Sequence, residues 1–288
     1  MKVLIVGLGY VGSKLAEILA AEGHEVVGVR RQLGDVGAKS YEIREANVLN
    51  PSDIDNLPDA DAVLYCVSSS RGGVDVYRQV FVDGTRNLLQ RFAKNPPSRF
   101  LFTCSTSVYG QVDGSTVDEH SPTEPASETG QILVDTEGTI LESTRDWNCQ
   151  TTILRVAGIY GPERGHLFLK YLRDEATITG DPYRMLNQIH RDDVAGVIRQ
   201  LLVHDSPPRV LNVADDQPTT QTDFYMYLSA ALRKPMPPRG EASIGRKRAI
   251  TNKRVSNARL RALGVELIHP TFRDGYGAEI KRLGLIDG

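Results

Sequence analysis

Gly7-Leu8-Gly9-Tyr10-Val11-Gly12 sets three glycines at G-x-G-x-x-G spacing. That spacing does its chemistry with backbone. The first glycine allows a tight turn, the second lets main chain approach a pyrophosphate, and the third lets a helix pack closely on a strand. The opening helix offers unpaired N–H groups and the positive end of its dipole to an anion. The motif has the flanks it needs: residues 2–6 read as a buried strand, and an apolar-periodic helix runs over 11–22. Gly7, Gly9 and Gly12, with Tyr10 and Val11 between them, are therefore expected to hold a dinucleotide.

The second strand, 25–29, should end at the adenosine ribose. An acid there accepts from ribose hydroxyls, but this chain has Arg30-Arg31. Guanidinium groups pair bidentately with a 2′-phosphate, which an acid would repel. The reading is NADP in preference to NAD. Asp35 lies too far into the loop to be the usual ribose ligand. Asn47, Val48, Val67 and Ser68 complete the expected cofactor contacts.

These residues need a scaffold, and the chain spells one. Strands read at 2–6, 25–29, 40–44, 62–67, 99–105 and 151–156, with helices at 11–22, 75–94 and 127–145. Strand–helix alternation means a parallel sheet covered on both faces, and nearly continuous apolar strands agree. The expected fold is α/β, a Rossmann doubly wound parallel sheet over 1–157. A smaller mixed C-terminal substrate lobe follows over 158–288, from which about 188–213 returns to the sheet. In the second half, helices read near Asp192 or Asp193 (either a cap), at ~221–233, and at ~256–263 with Ser256 as N-cap and Gly264 as stop. A strand reads near 209–213.

The 288 residues are 40% hydrophobic and 24% charged with net charge −2, so the balance suggests neither nucleic acid nor a membrane surface. No apolar run reaches the ~18 residues that span a bilayer. Cys66, Cys104 and Cys149, an odd set without CxxC, point to a reducing cytoplasm, and no histidine spacing suggests a metal.

By these residues the chain resembles the extended short-chain dehydrogenase/reductases of the NAD-dependent epimerase/dehydratase superfamily. The resemblance rests on the glycine loop, Val82-Asp83-Gly84-Thr85-Arg86-Asn87-Leu88-Leu89, Ser105-Thr106-Ser107-Val108-Tyr109-Gly110, Leu154 to Pro162, and Ile189-His190-Arg191-Asp192-Asp193-Val194-Ala195. It covers nearly the whole length. The family's glycine loop is usually one residue longer, and Asn252 to Leu260 points to an atypical branch. The resemblance implies hydride transfer, with Ser105 orienting the substrate oxygen. It also implies a Tyr and a Lys in YxxxK. With Glu137 as anchor, these fall on Thr129 and Leu133, and a frequent Asn falls on Phe81. A threonine hydroxyl is far too weak an acid to replace a Lys-assisted phenol.

Two outcomes stay open. Another group carries the proton (Glu128, Asp135, Tyr109, Tyr160 or Tyr183), or the protein binds dinucleotide without the usual chemistry. Ser107, Tyr160, Arg248 and Arg254 are the expected substrate contacts. Residues 242–265 carry seven cations and no acid, and Arg248, Lys253 or Arg254 could meet an anionic substrate. His190 and Asp193 read as structural. The leading expectation is an NAD(P)-dependent oxidoreductase or epimerase acting on a hydroxyl or carbonyl of a polar small molecule, phosphorylated and nucleotide-linked substrates included. Its rival is a non-catalytic NADP-binding sensor. The resemblance also implies a homodimer through helices 75–94 and 127–145, with Val80, Leu88, Ile132 and Leu141 as interface candidates.

Overall fold

The computed structural model describes residues 1–34, 37–69, 73–240 and 251–285. The main sheet begins with β1 (Lys2–Val6), β2 (Glu25–Arg30), β3 (Glu42–Glu45), β4 (Ala62–Tyr65) and β5 (Arg99–Ser105). Strands Gln150–Val156 and Val210–Val213 complete seven parallel strands in the order (210–213)-(150–156)-β5-β4-β1-β2-β3. The order reverses at β1, where β2 and β4 pair on opposite edges. A ligand site is expected outside the carboxyl ends at such a switch point. β4 is fully buried and β1 nearly so, as strands covered on both faces must be.

The helices named first are α1 (Tyr10–Ala21), α2 (Pro51–Asp55), α3 (Val74–Arg78), α4 (Gly84–Phe92) and α5 (Glu128–Ser143). The single helix expected over 75–94 is broken: Gln79–Asp83 is a π-helical turn between α3 and α4. Wide turns leave carbonyls in need of donors. Here the Tyr65 hydroxyl donates to Val80 O at 2.7 Å, and the Thr136 hydroxyl to Phe81 O at 3.3 Å. Val80, Leu88 and Ile132 are at most 6% exposed inside this packing, so they cannot be interface residues; of the four candidates only Leu141 is partly exposed.

The chain forms two compact units, 1–108 with 127–155 and 194–211, and 109–126 with 156–193 and 212–288. Residues 109–126, read from sequence as part of the Rossmann domain, thus belong to the second unit. That unit pairs short strands, Gly158–Tyr160 with Gln188–His190 and Thr116–Val117 with Arg254–Val255. Its core is aromatic: Tyr160, Phe168, Phe224, Phe272 and Tyr276 are all buried. Gly275 makes room for Tyr160, whose hydroxyl would lie 2.0 Å from a Cβ at that position. Helices His166–Leu172 and Phe272–Arg282 were not read from the sequence. Helix Ala258–Ala262 takes Asn257, not Ser256, at its N-cap. No helix among the described residues is long and apolar enough to cross a membrane.

Candidate dinucleotide site

Gly7 has φ +108°, and a Cβ there would sit 2.3 Å from Cys66 O, so no side chain is admitted where β1 turns past the end of β4. A Cβ on Gly12 would sit 2.3 Å from Gly7 O, which lets α1 close onto the loop. Gly9 differs: nothing lies within 4 Å of its Cβ position. The room that glycine leaves there faces open space, as approach of a ligand requires.

The loop is held from below. Gly7 and Leu8 amides both donate to Val29 O, at 3.0 and 2.8 Å. Leu8 fills the space left by Gly28 of β2, where a Cβ would meet its Cδ1 at 2.5 Å. That pairing went unread in the sequence. Gly9 is the N-cap of α1; no side chain caps the helix and no acid stands in its first turn. The helix end is thus free of the competing carboxylate that would repel a pyrophosphate.

Arg30 ends β2 half-buried and Arg31 is exposed, and neither forms an ion pair among the described residues. Asp35 lies outside the described residues. Asn47 accepts from Leu49 N at 3.1 Å, closing a turn, while Val48 is buried against Gly84. Val67 follows β4, its amide within 2.8 Å of the Cβ position of Gly7, and Ser68 is exposed beside it.

Ser105 ends β5. Its Oγ accepts from Ser107 N at 3.1 Å, which leaves the hydroxyl hydrogen available as a donor. The positions that the resemblance assigns to Tyr and Lys lie on one face of α5, four residues apart. The Thr129 hydroxyl is 3.3 Å from Ser127 Oγ, and Ser127 caps the helix through Gly130 N at 3.1 Å. Leu133 is 1% exposed and part of the core. Phe81 is buried with its ring 4.4 Å from Tyr77 and 6.2 Å from Phe102. Aromatic packing has taken the place of a polar group. Glu137, the anchor of that assignment, forms a buried ion pair with Arg155 at 2.7 Å.

Most proton-donor candidates are otherwise engaged. The Tyr109 hydroxyl, fully buried, donates to Asn212 Oδ1 at 2.8 Å. Tyr160 is 1% exposed and stacked on Tyr276 at 4.2 Å, and burial raises its phenol far above the ordinary range. It is a core residue and not the substrate contact expected. Glu128 pairs with Arg78 at 3.3 Å, and Asp135 accepts from Gln131. Tyr183 is 68% exposed.

Of the basic stretch, Arg246, Lys247 and Arg248 lie outside the described residues. The Arg254 guanidinium donates to Gly114 O, and Lys253 is buried with its ammonium 2.8 Å from Tyr109 O. Asp193 caps no turn of its own helix; its carboxylate accepts from the amides of Ile268 and His269, the latter at 3.1 Å. His190, Asp193 and His269 each bring a ligand atom within 4.8 Å of the others, a cluster invisible to spacing because 75 residues or more separate its ends. Backbone amides already use His190 Nδ1 and the Asp193 oxygens. Beside them Asp215 is buried, and burial first, then Asp216, Asp193 and Asp274, push its carboxyl up to about 8.

The sequence pattern of the NAD dependent epimerase/dehydratase family matches residues 3–214. Protein YeeZ of Escherichia coli K12 is 30% identical over 285 residues, spanning 93% of this chain and 96% of that protein. Among solved structures, a candidate NAD-dependent epimerase/dehydratase from Methylobacillus flagellatus is 31% identical over 98% of each chain, with a TM-score of 0.80. A UDP-glucose 4-epimerase from Thermotoga maritima, solved with UDP-glucose, covers 99% of this chain at a TM-score of 0.84 and 20% identity, a likeness of fold.

Proposed function

This chain belongs to the NAD dependent epimerase/dehydratase family, and from that premise we propose that it binds NADP in preference to NAD. We further propose that it works as an oxidoreductase or epimerase on a hydroxyl or carbonyl of a polar small molecule. The observation that carries the reading is the contrast among the glycines: Gly7 and Gly12 admit no side chain, while Gly9 faces open space beside an uncapped helix end. A nicotinamide dinucleotide bound there supplies or takes up a hydride. Arg30 and Arg31, which form no ion pair among the described residues, meet the 2′-phosphate, and the Ser105 hydroxyl holds the reacting oxygen. Cys66, Cys104 and Cys149 form no disulfide among the described residues, which suits a reducing compartment.

A second reading is favoured by Thr129, Leu133 and Phe81. With the expected polar groups replaced by packing, the protein is a dinucleotide-binding sensor without turnover. Fluorescence titration with NADPH and NADH tests the cofactor assignment. NADPH binds more tightly in the parent, and Arg30→Ala with Arg31→Ala erases the preference, a loss of about 1.5–3 kcal/mol. Equal affinities in the parent would refute it. Turnover of NADPH across alcohols, carbonyls and nucleotide sugars then separates enzyme from sensor.

A further inference from the structure

Glu45 closes β3, and the parallel register sets it directly beside Arg30, the last residue of β2. A carboxylate and a guanidinium in that arrangement are natural partners, yet neither forms an ion pair among the described residues. The carboxylate goes to backbone instead: Leu33 N donates to Glu45 Oε2 at 3.2 Å. Burial does not require this. Leu33 is 39% exposed, so water could serve its amide as well.

The contact fixes a short span at both ends. Ala46 N donates to Arg30 O at 3.0 Å, which ties the end of β2 to β3, and Glu45 ties down Leu33 three residues on. Arg31 and Gln32 lie between the two ties, and residues 31–34 are all exposed. An exposed span left loose keeps backbone freedom that a ligand must remove on binding. A span already ordered spares the ligand that loss. The carboxylate also acts in the opposite sense, because its charge stands beside the arginines and repels a second anion there. An uncharged acceptor at the same place would keep the order without the repulsion.

We propose that Glu45 is a positioning residue for cofactor choice. By holding Leu33 N it pre-orders the span that carries Arg31, and so raises affinity for the 2′-phosphate of NADPH without raising affinity for NADH. The proposal rests on the NADP reading above.

The test compares Glu45→Ala and Glu45→Gln with the parent, each as the full chain. Trypsin cleavage after Arg31 in the cofactor-free protein reads the order of the span. Fluorescence titration with NADPH and NADH reads its consequence. Glu45→Ala removes the acceptor: cleavage should quicken about fivefold, NADPH should bind about fivefold more weakly, and NADH should stay within about twofold of the parent. Glu45→Gln keeps an acceptor and removes the charge, so cleavage should return to the parent rate and NADPH affinity to the parent value or tighter. Parent-like cleavage or parent-like NADPH affinity in Glu45→Ala overturns the proposal. So does equal weakening of both cofactors, the outcome of a purely structural role, and so does a Glu45→Gln protein as impaired as Glu45→Ala. Arg30→Ala with Arg31→Ala separates the two possible failures. If that variant loses the preference for NADPH and Glu45→Ala keeps it, Glu45 alone is misassigned and the NADP reading stands. If the parent itself has no preference, the NADP reading fails and the role of Glu45 fails with it.

Discussion

The end of β1 and the first turns of α5 are both places where the family resemblance demands particular residues, and this chain answers the two demands differently. At β1 the demand falls on backbone: a positive φ at Gly7, a close approach at Gly12, open space at Gly9. All three are met. At α5 it falls on side chains, and Thr129 and Leu133 stand where a phenol and an amine are expected, with Phe81 packed nearby. The residues expected to bind and those expected to react are thus encoded separately: the glycines of the first set are present, while the Tyr and Lys of the second are not. In the second unit, burial strongly displaces two further titratable groups, Asp215 and Lys253.

The most damaging way to break the contrast is at Gly7. Gly7→Ala forces a Cβ to 2.3 Å from a backbone carbonyl at φ +108°. We expect dinucleotide affinity to fall more than ~100-fold and stability to fall by about 2–4 kcal/mol. Gly9→Ala, with nothing within 4 Å, should leave the melting temperature unchanged yet weaken NADPH about tenfold or more. A Gly9→Ala protein that binds as the parent does would place the pyrophosphate elsewhere.

At α5 the corresponding test is Leu133→Ala. If Leu133 is core, its loss lowers stability by about 2–5 kcal/mol in chemical denaturation, with NADPH affinity nearly kept by the protein that remains folded. Unchanged stability with lost cofactor binding would mean that Leu133 lines the site after all.

Asp215 sharpens the contrast through pH. Its carboxyl is raised from 3.8 to about 8, so the folded state holds a proton that the unfolded state releases. Its contribution to stability is full below pH ~4 and is lost as pH rises toward 8, at up to about 1.4 kcal/mol per pH unit. Asp215→Asn keeps an acceptor for Gln217 N and removes the titration. Relative to the parent it should gain on the order of a few kcal/mol between pH 5 and 8. Parallel stability curves for the two proteins over that range would show that Asp215 is ionised in the fold.

What the sequence made legible follows the same division. A glycine required by backbone geometry writes itself as a residue type at fixed spacing, and the buried strands write themselves as apolar runs. The π turn at Gln79–Asp83 has no such signature, because it depends on donors from Tyr65 and Thr136, 15 and 55 residues from the carbonyls they reach. Tyr160 looked like a site residue because nothing near it announces Gly275, the residue that lets it bury. Lys253 was legible as a charge, but its burial is set by Asn187, 66 residues away. Helix Phe272–Arg282 did carry a readable signal, the Thr271/Asp274 capping box.

The smallest expected effect is at Thr129. Its hydroxyl is half-buried and 3.3 Å from Ser127 Oγ, while Ser127 caps α5 through Gly130 N without its help. Thr129→Ala therefore removes one weak, replaceable hydrogen bond, and stability should change by less than about 1 kcal/mol. Any NADPH turnover found in the parent should fall by less than the ~100- to 10,000-fold that follows loss of a general acid. Ser105→Ala should cost more turnover than Thr129→Ala, because the Ser105 hydroxyl is oriented by Ser107 N with its hydrogen still to give. The order of the two variants is the decisive reading. If turnover collapses with Thr129→Ala and survives Ser105→Ala, the first turn of α5 carries chemistry that its residue types do not suggest, and the separation of binding from catalysis argued here fails at that residue.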